Sequence, residues 1–296
     1  MIPYKEANRN KEAIQDALNL HLTEVANHWD ISGSVIVVQK DESLFEKNFG
    51  YGDRLQGIKT TEDSAYLLHS ECGFFVALSI LLLSDQNRLK LTDKLSKYIP
   101  EYPYSTNITI NHLLKSNSGI PDFFYDGLMV LLSNDPEYKA LDDIARIPVE
   151  KKTYYQNCNF DAMFRVIEGK PLEYKPGTKA MPSSESNHIF LAEIVRRITG
   201  NSVFSFLKHQ IFEPLHMHGV KVGHHANTVS YTVFREQTLV RLPLNDLFDG
   251  LITVTVADMK KLLIALGNRE VFSEAHRLKI LKKDDEGNGL LFENAN

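Results

Sequence analysis

The chain has 296 residues and a formal charge of −5, with 33 basic against 38 acidic side chains, and is 43% hydrophobic and 24% charged. That is ordinary globular composition for one large domain or two closely joined ones, and it excludes disorder, collagen and coiled coil. The acidic balance argues against nucleic acid as a partner. Two cysteines, Cys72 and Cys158, are too few for a disulfide framework or a four-thiolate zinc site.

Residues 1–10 mix Lys5, Glu6 and Arg9 with no apolar run, so no signal peptide is visible. The expected location is the cytoplasm, although a mature periplasmic or secreted form would look the same. Residues 11–29 place Ile14, Ala17, Leu18, Val25 and Trp29 at helical spacing, which predicts an amphipathic helix with one buried face. Gly33 to Gln39 is a β-branched run, Asp41-Glu42 turns the chain, and Leu44 to Phe49 alternates; together they predict a hairpin. From about residue 60 to 220 the pattern is mainly helical. The longest apolar stretch, Cys72 to Leu83, is interrupted by Ser79. It falls short of the ~20 residues a membrane span needs and reads as a buried core helix. Thr109 suits an N-cap for a helix over Ile110 to Lys115. Leu191, Ile194, Val195 and Ile198 form an apolar face closed by Gly200, and Val203 to Phe212 continues as helix. Beyond 220 the text is short and strand-like, until a helix over residues 256–266 that begins near Asp258. No repeat or low-complexity segment interrupts this order.

Ser70 stands at the start of the apolar helix, where backbone N–H groups and the helix dipole favour a developing oxyanion. Position alone does not make it a nucleophile, because capping serines far outnumber reactive ones. The surrounding text is more specific. Leu89 to Leu95 with Tyr98-Ile99-Pro100-Glu101, Ile108 to Leu114 with Ser118-Gly119-Ile120-Pro121-Asp122, and Pro176-Gly177-Thr178-Lys179 occur in that order. They are followed by Ile198-Thr199-Gly200, Ile211 to Leu215, Asp249-Gly250-Leu251 and Ala257-Asp258-Met259. In this series the chain resembles the serine β-lactamase and penicillin-binding-protein superfamily, in the branch of class C β-lactamases, D-Ala-D-Ala carboxypeptidases and esterases.

The resemblance implies an α/β (α+β) sandwich of antiparallel sheet flanked by helices, with a large helical insertion. The sheet domain is expected from residues 1–60 and 230–296, and the mainly helical domain, carrying Ser70, from 61–229. The family's S-x-x-K motif sets a lysine one helical turn after the serine, where burial can lower its pKa for proton transfer. Here the text is Ser70-Glu71-Cys72-Gly73, and glycine has no side chain to take a proton. The Y-x-N tyrosine falls at Pro182 or Ser183, and no tyrosine occurs between Tyr174 and Tyr231. A shifted frame reads Glu185-Ser186-Asn187, with Glu185 as a candidate base if buried. An exposed loop carboxylate is the commoner fate of a glutamate. The K-T-G or H-x-G motif is not found after Gly287-Asn288-Gly289-Leu290, so the C-terminal sheet strands look incomplete. A two-stranded sheet is marginal alone, so residues 220–296 or a partner chain would have to supply the rest.

A serine hydroxyl without a base is a poor nucleophile, and loss of several members of a catalytic unit leaves only binding and oxyanion effects. The expectation is therefore an impaired member, a pseudo-enzyme with a retained ligand pocket or interaction role. The alternative is an active serine hydrolase (β-lactamase, D,D-peptidase or esterase) with Ser70 as nucleophile and a rewired base, Glu185. Asn187, Ser183, Tyr155 and Phe124 are the candidate substrate-binding residues. His69 sits beside Ser70 but points elsewhere at a helix start, and Cys72 reads as a small core residue. His216, His218, His224 and His225 form a histidine-rich patch without the spacing of a metal site. No metal and no cofactor are expected. The expected partners are a small-molecule or peptide-like acyl ligand and further copies of the chain, with no nucleic acid and no membrane span.

Overall fold

The computed structural model describes residues 11–39, 42–68, 72–123, 160–179, 185–223, 225–229, 231–234, 238–241, 252–268 and 271. The chain separates into two compact units. One gathers described residues from Met1–Leu67, Pro214–Leu242 and Thr253–Val271; the other is built mainly from Leu68–Glu213.

The first unit opens with helix α1 (Lys11–Trp29), followed by strands β1 (Gly33–Gln39) and β2 (Glu42–Phe49). β1 and β2 pair antiparallel from Gly33 opposite Phe49 to Gln39 opposite Glu42, with a bulge between Val37 and Val38. The β-branched run Val35 to Val38 supplies the strand preference. Two short strands, β3 (Tyr51–Asp53) and β4 (Ile58–Lys59), make a second antiparallel pair. β5 (Ala65–Leu67) and β6 (Lys221–Val222) flank β9 (Ile252–Thr255) in a three-stranded sheet, while β7 (Tyr231–Phe234) pairs with β8 (Thr238–Arg241). The helix α7 (Val256–Asn268) packs against β1 and β2, where Lys260 pairs with Glu46 at 2.8 Å. The backbone N–H of Asp258 donates to Thr255 Oγ1 in the first turn of α7 (3.2 Å). The side chain of Asp258 is buried and accepts the backbone N–H of Gly219 (2.7 Å).

α1 departs from the expectation. None of its residues is buried: Ile14, Ala17, Leu18 and Val25 are half-buried, and Trp29 is 71% exposed. The helical spacing marks which face turns inward, but the depth of burial depends on what covers it. α1 packs on β2, held by polar contacts such as Gln15 Nε2 donating to the Leu44 carbonyl (2.6 Å) and Lys47 Nζ to Asn19 (2.6 Å).

The second unit is packed more densely. Helix α2 (Cys72–Asp85) buries Phe75, Leu78, Ile80, Leu81 and Leu83 completely. After a 3₁₀ turn (Leu95–Lys97) comes α3 (Ile110–Leu114), then α4 (Phe160–Ile167), α5 (Glu185–Thr199) and α6 (Val203–Leu207). Thr109 caps α3 as expected: its Oγ1 accepts the His112 N–H at 3.2 Å, while the Thr109 N–H donates back to His112 Nδ1 at 3.3 Å. Gly200 follows α5 with φ +73, the left-handed geometry glycine favours, and donates its N–H to the Arg196 carbonyl. The helix expected over Val203 to Phe212 is instead two pieces, α6 and a π-helical turn, Lys208–Phe212.

Aromatic rings fill the centre of this unit. Tyr102, Phe164, Phe190 and Phe160 contact one another at centroid distances of 5.0–6.1 Å. Glu193, only 4% exposed, receives hydrogen bonds from Arg196 and Arg197 at 2.6–2.7 Å. Burial alone would push its carboxyl up, but the two guanidinium groups hold it below the usual range. Arg197 also reaches Glu101 and the Tyr98 carbonyl, joining α5 to the segment before α3.

Candidate active site

Among the described residues, the site is framed by the first turn of α2, the segment 116–123 and the first turns of α5. Ser118 to Phe123 and the start of α5 are locked together by hydrogen bonds. Ser118 Oγ donates to Asn187 Oδ1 (2.6 Å) and accepts the Ile120 N–H (3.2 Å). Ser186 Oγ accepts the Phe123 N–H (2.7 Å) and donates to the Pro121 carbonyl (2.8 Å). Asp122 accepts the Glu185 N–H at 2.9 Å, a carboxylate at the positive end of a helix. Gly119, at φ +77, lies so close to the Tyr174 carbonyl that an added Cβ would sit 2.1 Å from that oxygen. Only glycine fits this crossing, so Ser118-Gly119-Ile120 is a backbone device as well as a run of text. A second close approach sets Gly177 against His112, whose imidazole is held below its ordinary pKa by burial and then by the charge of Lys94.

Several sequence candidates lie outside the described residues: His69, Ser70, Phe124, Tyr155, Cys158, Pro182, Ser183 and His224. The described candidates are placed as follows. Glu185 opens α5 and is half-buried, with its backbone N–H on Asp122. Asn187 is 1% exposed, and its Oδ1 is engaged by Ser118. Cys72 is buried in the first turn of α2, with its thiol donating to the Leu68 carbonyl (3.3 Å). The rings of His216 and His218 lie 5.9 Å apart, and no group of three metal-ligating side chains is found among the described residues. No helix among them is long and apolar enough to cross a membrane.

The sequence reasoning missed His188. It lies on α5 directly after Asn187, and its imidazole packs against Gly73. A Cβ built on Gly73 would meet His188 Cε1 at 2.4 Å and both ring nitrogens at 2.6 Å. The edge of the ring that carries the lone pair therefore occupies the space where a side chain at position 73 would start. Among the described residues His188 Nδ1, shut off from solvent, has no hydrogen-bond partner, and the residue as a whole is half-buried. Burial lowers its pKa to about 4, so the imidazole is neutral at pH 7. The clue in the sequence was the absence of a side chain at 73. Nothing in the text connects that gap to a histidine on another helix.

A family model described as Beta-lactamase matches residues 23–287. Among curated proteins, "Protein flp" of Staphylococcus aureus (strain COL) is 27% identical over 189 residues, covering 62% of this chain and 33% of its own. "Putative penicillin-binding protein PbpX" of Bacillus subtilis (strain 168) is 24% identical over 214 residues, covering 72% and 47%. The chain thus spans between a third and a half of the length of these relatives. Among solved structures, a penicillin-binding protein from Bacillus halodurans superposes with TM-score 0.68 at 21% identity, covering 92% of this chain and 81% of that one. An octameric penicillin-binding protein homologue from Pyrococcus abyssi gives 0.70 at 22% identity, covering 93% and 64%. These likenesses show the β-lactamase and transpeptidase-like fold, with its helices and antiparallel sheets.

Proposed function

Since the chain belongs to the Beta-lactamase family, we propose that it is an acyl-ligand-binding member whose serine chemistry is strongly impaired. One observation carries this reading. At the position of the family's lysine stands Gly73, and the space above it is filled by an imidazole rather than an amine. A lysine there would take the proton of Ser70 and hand it on. A neutral imidazole with a pKa near 4 is a much weaker base at pH 7. The framework around the site is intact: Ser118, Asn187, Ser186 and Asp122 still fasten segment 118–123 to α5. Ligand recognition is thus separated from turnover. The ligand class follows from the relatives, which include penicillin-binding proteins and, among solved structures, a D-amino acid amidase from Ochrobactrum anthropi. A small or peptide-like acyl compound fits both.

The test is to mix the protein with a fluorescent penicillin and a chromogenic cephalosporin, following binding by anisotropy and hydrolysis by absorbance. Saturable binding is expected, with hydrolysis at least ~10³-fold slower than in a lysine-bearing member, the scale seen when part of a catalytic unit is lost. Sustained turnover at about one per second or faster, a rate ordinary for enzymes, would overturn the reading.

A further inference from the structure

We propose that one corner of the first unit, made by the turn after α1 and the β3–β4 hairpin, is a self-association surface whose occupant is the same corner of a second copy of this chain. The inference does not depend on the acyl-ligand reading, because all of its residues belong to the Met1–Leu67 stretch of the first unit.

The corner is marked by apolar surface left in water. Among the described residues five large apolar side chains are exposed, and four of them fall in two short stretches: Trp29 (71%) and Ile31 (43%) after α1, and Leu55 (67%) and Ile58 (50%) on the hairpin. Hydrogen bonds tie the two stretches together. Arg54 donates to the Asp30 carboxylate, to the Asp30 carbonyl (3.0 Å) and to Ser32 Oγ (3.2 Å), while Ser32 Oγ accepts the Tyr51 N–H (2.9 Å). The four side chains are thus carried on one braced frame, unlike the singly scattered apolar residues of an ordinary surface. A frame fixed before docking loses little freedom on docking. Tyr51 and Arg54 add the residue types that, with tryptophan, dominate interface energetics. The Arg54 guanidinium lies 5.7 Å from the Tyr51 ring centroid and the Lys59 ammonium 3.7 Å from it.

Charge selects the occupant. Groups of both signs reach solvent around the apolar residues: Arg54 and Lys59 against Asp30, Glu62 and Asp63. An anionic lipid surface or a nucleic acid calls for a basic excess, and this rim has none. A second copy, turned about a two-fold axis, offers the same apolar centre and sets basic groups against acidic ones. Four apolar side chains make a small patch beside the ~800 Å² per partner of a standard stable interface. The pairing is therefore weak and reversible, and dilute protein is monomeric with Trp29 in water.

The chain has a single tryptophan, so indole emission reports on this corner alone. The experiment follows sedimentation equilibrium and tryptophan emission of the whole chain over a dilution series that brackets micromolar dissociation constants, about 1 to 500 µM. The average mass should climb from that of one chain toward that of two as the concentration rises. Emission should move to shorter wavelength with the same midpoint. Leu55→Asp should raise that midpoint at least ~10-fold, the scale of losing one central interface contact. Lys59→Glu and Glu62→Lys should each self-associate more weakly than wild type, and mixing the two should restore a pair. A mass that stays at one chain across the series overturns the proposal. So does association with unmoved emission, or association that Leu55→Asp leaves unchanged, since either places the contact on another face. A monomer whose emission shifts only with vesicles of phosphatidylcholine and phosphatidylglycerol overturns it in favour of a lipid surface. If the circular dichroism of Leu55→Asp departs from wild type, Ile58→Lys takes its place; if neither folds, the coincidence of the mass and emission midpoints decides.

Discussion

The hairpin of β1 and β2 and the pair of α2 and α5 both carry apolar runs, yet they are buried to different depths, with only Leu44 and Phe45 buried in the hairpin. Every residue of β1 from Gly33 to Val38 is half-buried, while α2 buries eleven of its fourteen residues. α5 adds Phe190, Leu191, Ile194 and Val195, all 0% exposed. Apolar character states a demand for cover; neighbours decide whether it is met. The helical unit meets it with aromatic rings from several segments, whereas the hairpin is covered by α7 and, through β2, by an α1 that buries nothing fully.

Matched truncations measure the contrast most directly. Leu78→Ala, at a site with no exposure, should destabilise the helical unit by about 2–5 kcal/mol in urea melts, the usual cost of a cavity in a close-packed core. Val35→Ala should cost about 1 kcal/mol, because a half-buried side chain returns little area to water. Equal costs would show that the two regions are packed alike.

Acid sharpens the comparison next. His188 has a folded pKa near 4 against an ordinary 6.5. The unfolded chain therefore binds more protons between those values, and stability falls as the pH drops through the window. The loss by pH 4 should be roughly 3 kcal/mol, at 1.36 kcal/mol per pKa unit. Chemical denaturation of wild type and His188→Gln at pH 7 and pH 4.5 reads it; a pH response unchanged in the variant would remove His188 as its source.

Smaller effects follow. Thr109→Ala removes the cap oxygen that accepts the His112 N–H and should cost about 1 kcal/mol, read as a lowered melting temperature of the helical unit. In the other unit, Trp29→Ser should change stability by no more than about 0.5 kcal/mol, because Trp29 is 71% exposed. A large loss there would show that the indole is covered in solution.

Much of the fold was legible because the signals were local. The β-branched run at 35–38, the cap at Thr109 and the left-handed Gly200 each act within a few residues of their own position. The depth of burial of α1 was not legible, since periodicity identifies a face and not its cover. The break of the helix at Lys208 was not legible either, because no Pro or Gly marks it. At the site, the gap at Gly73 could be read, but its occupant could not: His188 reaches it only through the packing of α2 on α5.

The acidic and basic chain Glu101–Arg197–Glu193–Arg196 has a consequence at the end of α5. Helix termini ordinarily fray, opening and closing independently of the body they join. Arg197 is fastened at once to a buried carboxylate on its own helix and to a distant stretch of backbone at Tyr98. Unwinding the last turn would strand Glu193 inside the protein without its counter-charges, so that turn is bound to the fate of the whole helical unit and lets go only when the unit does.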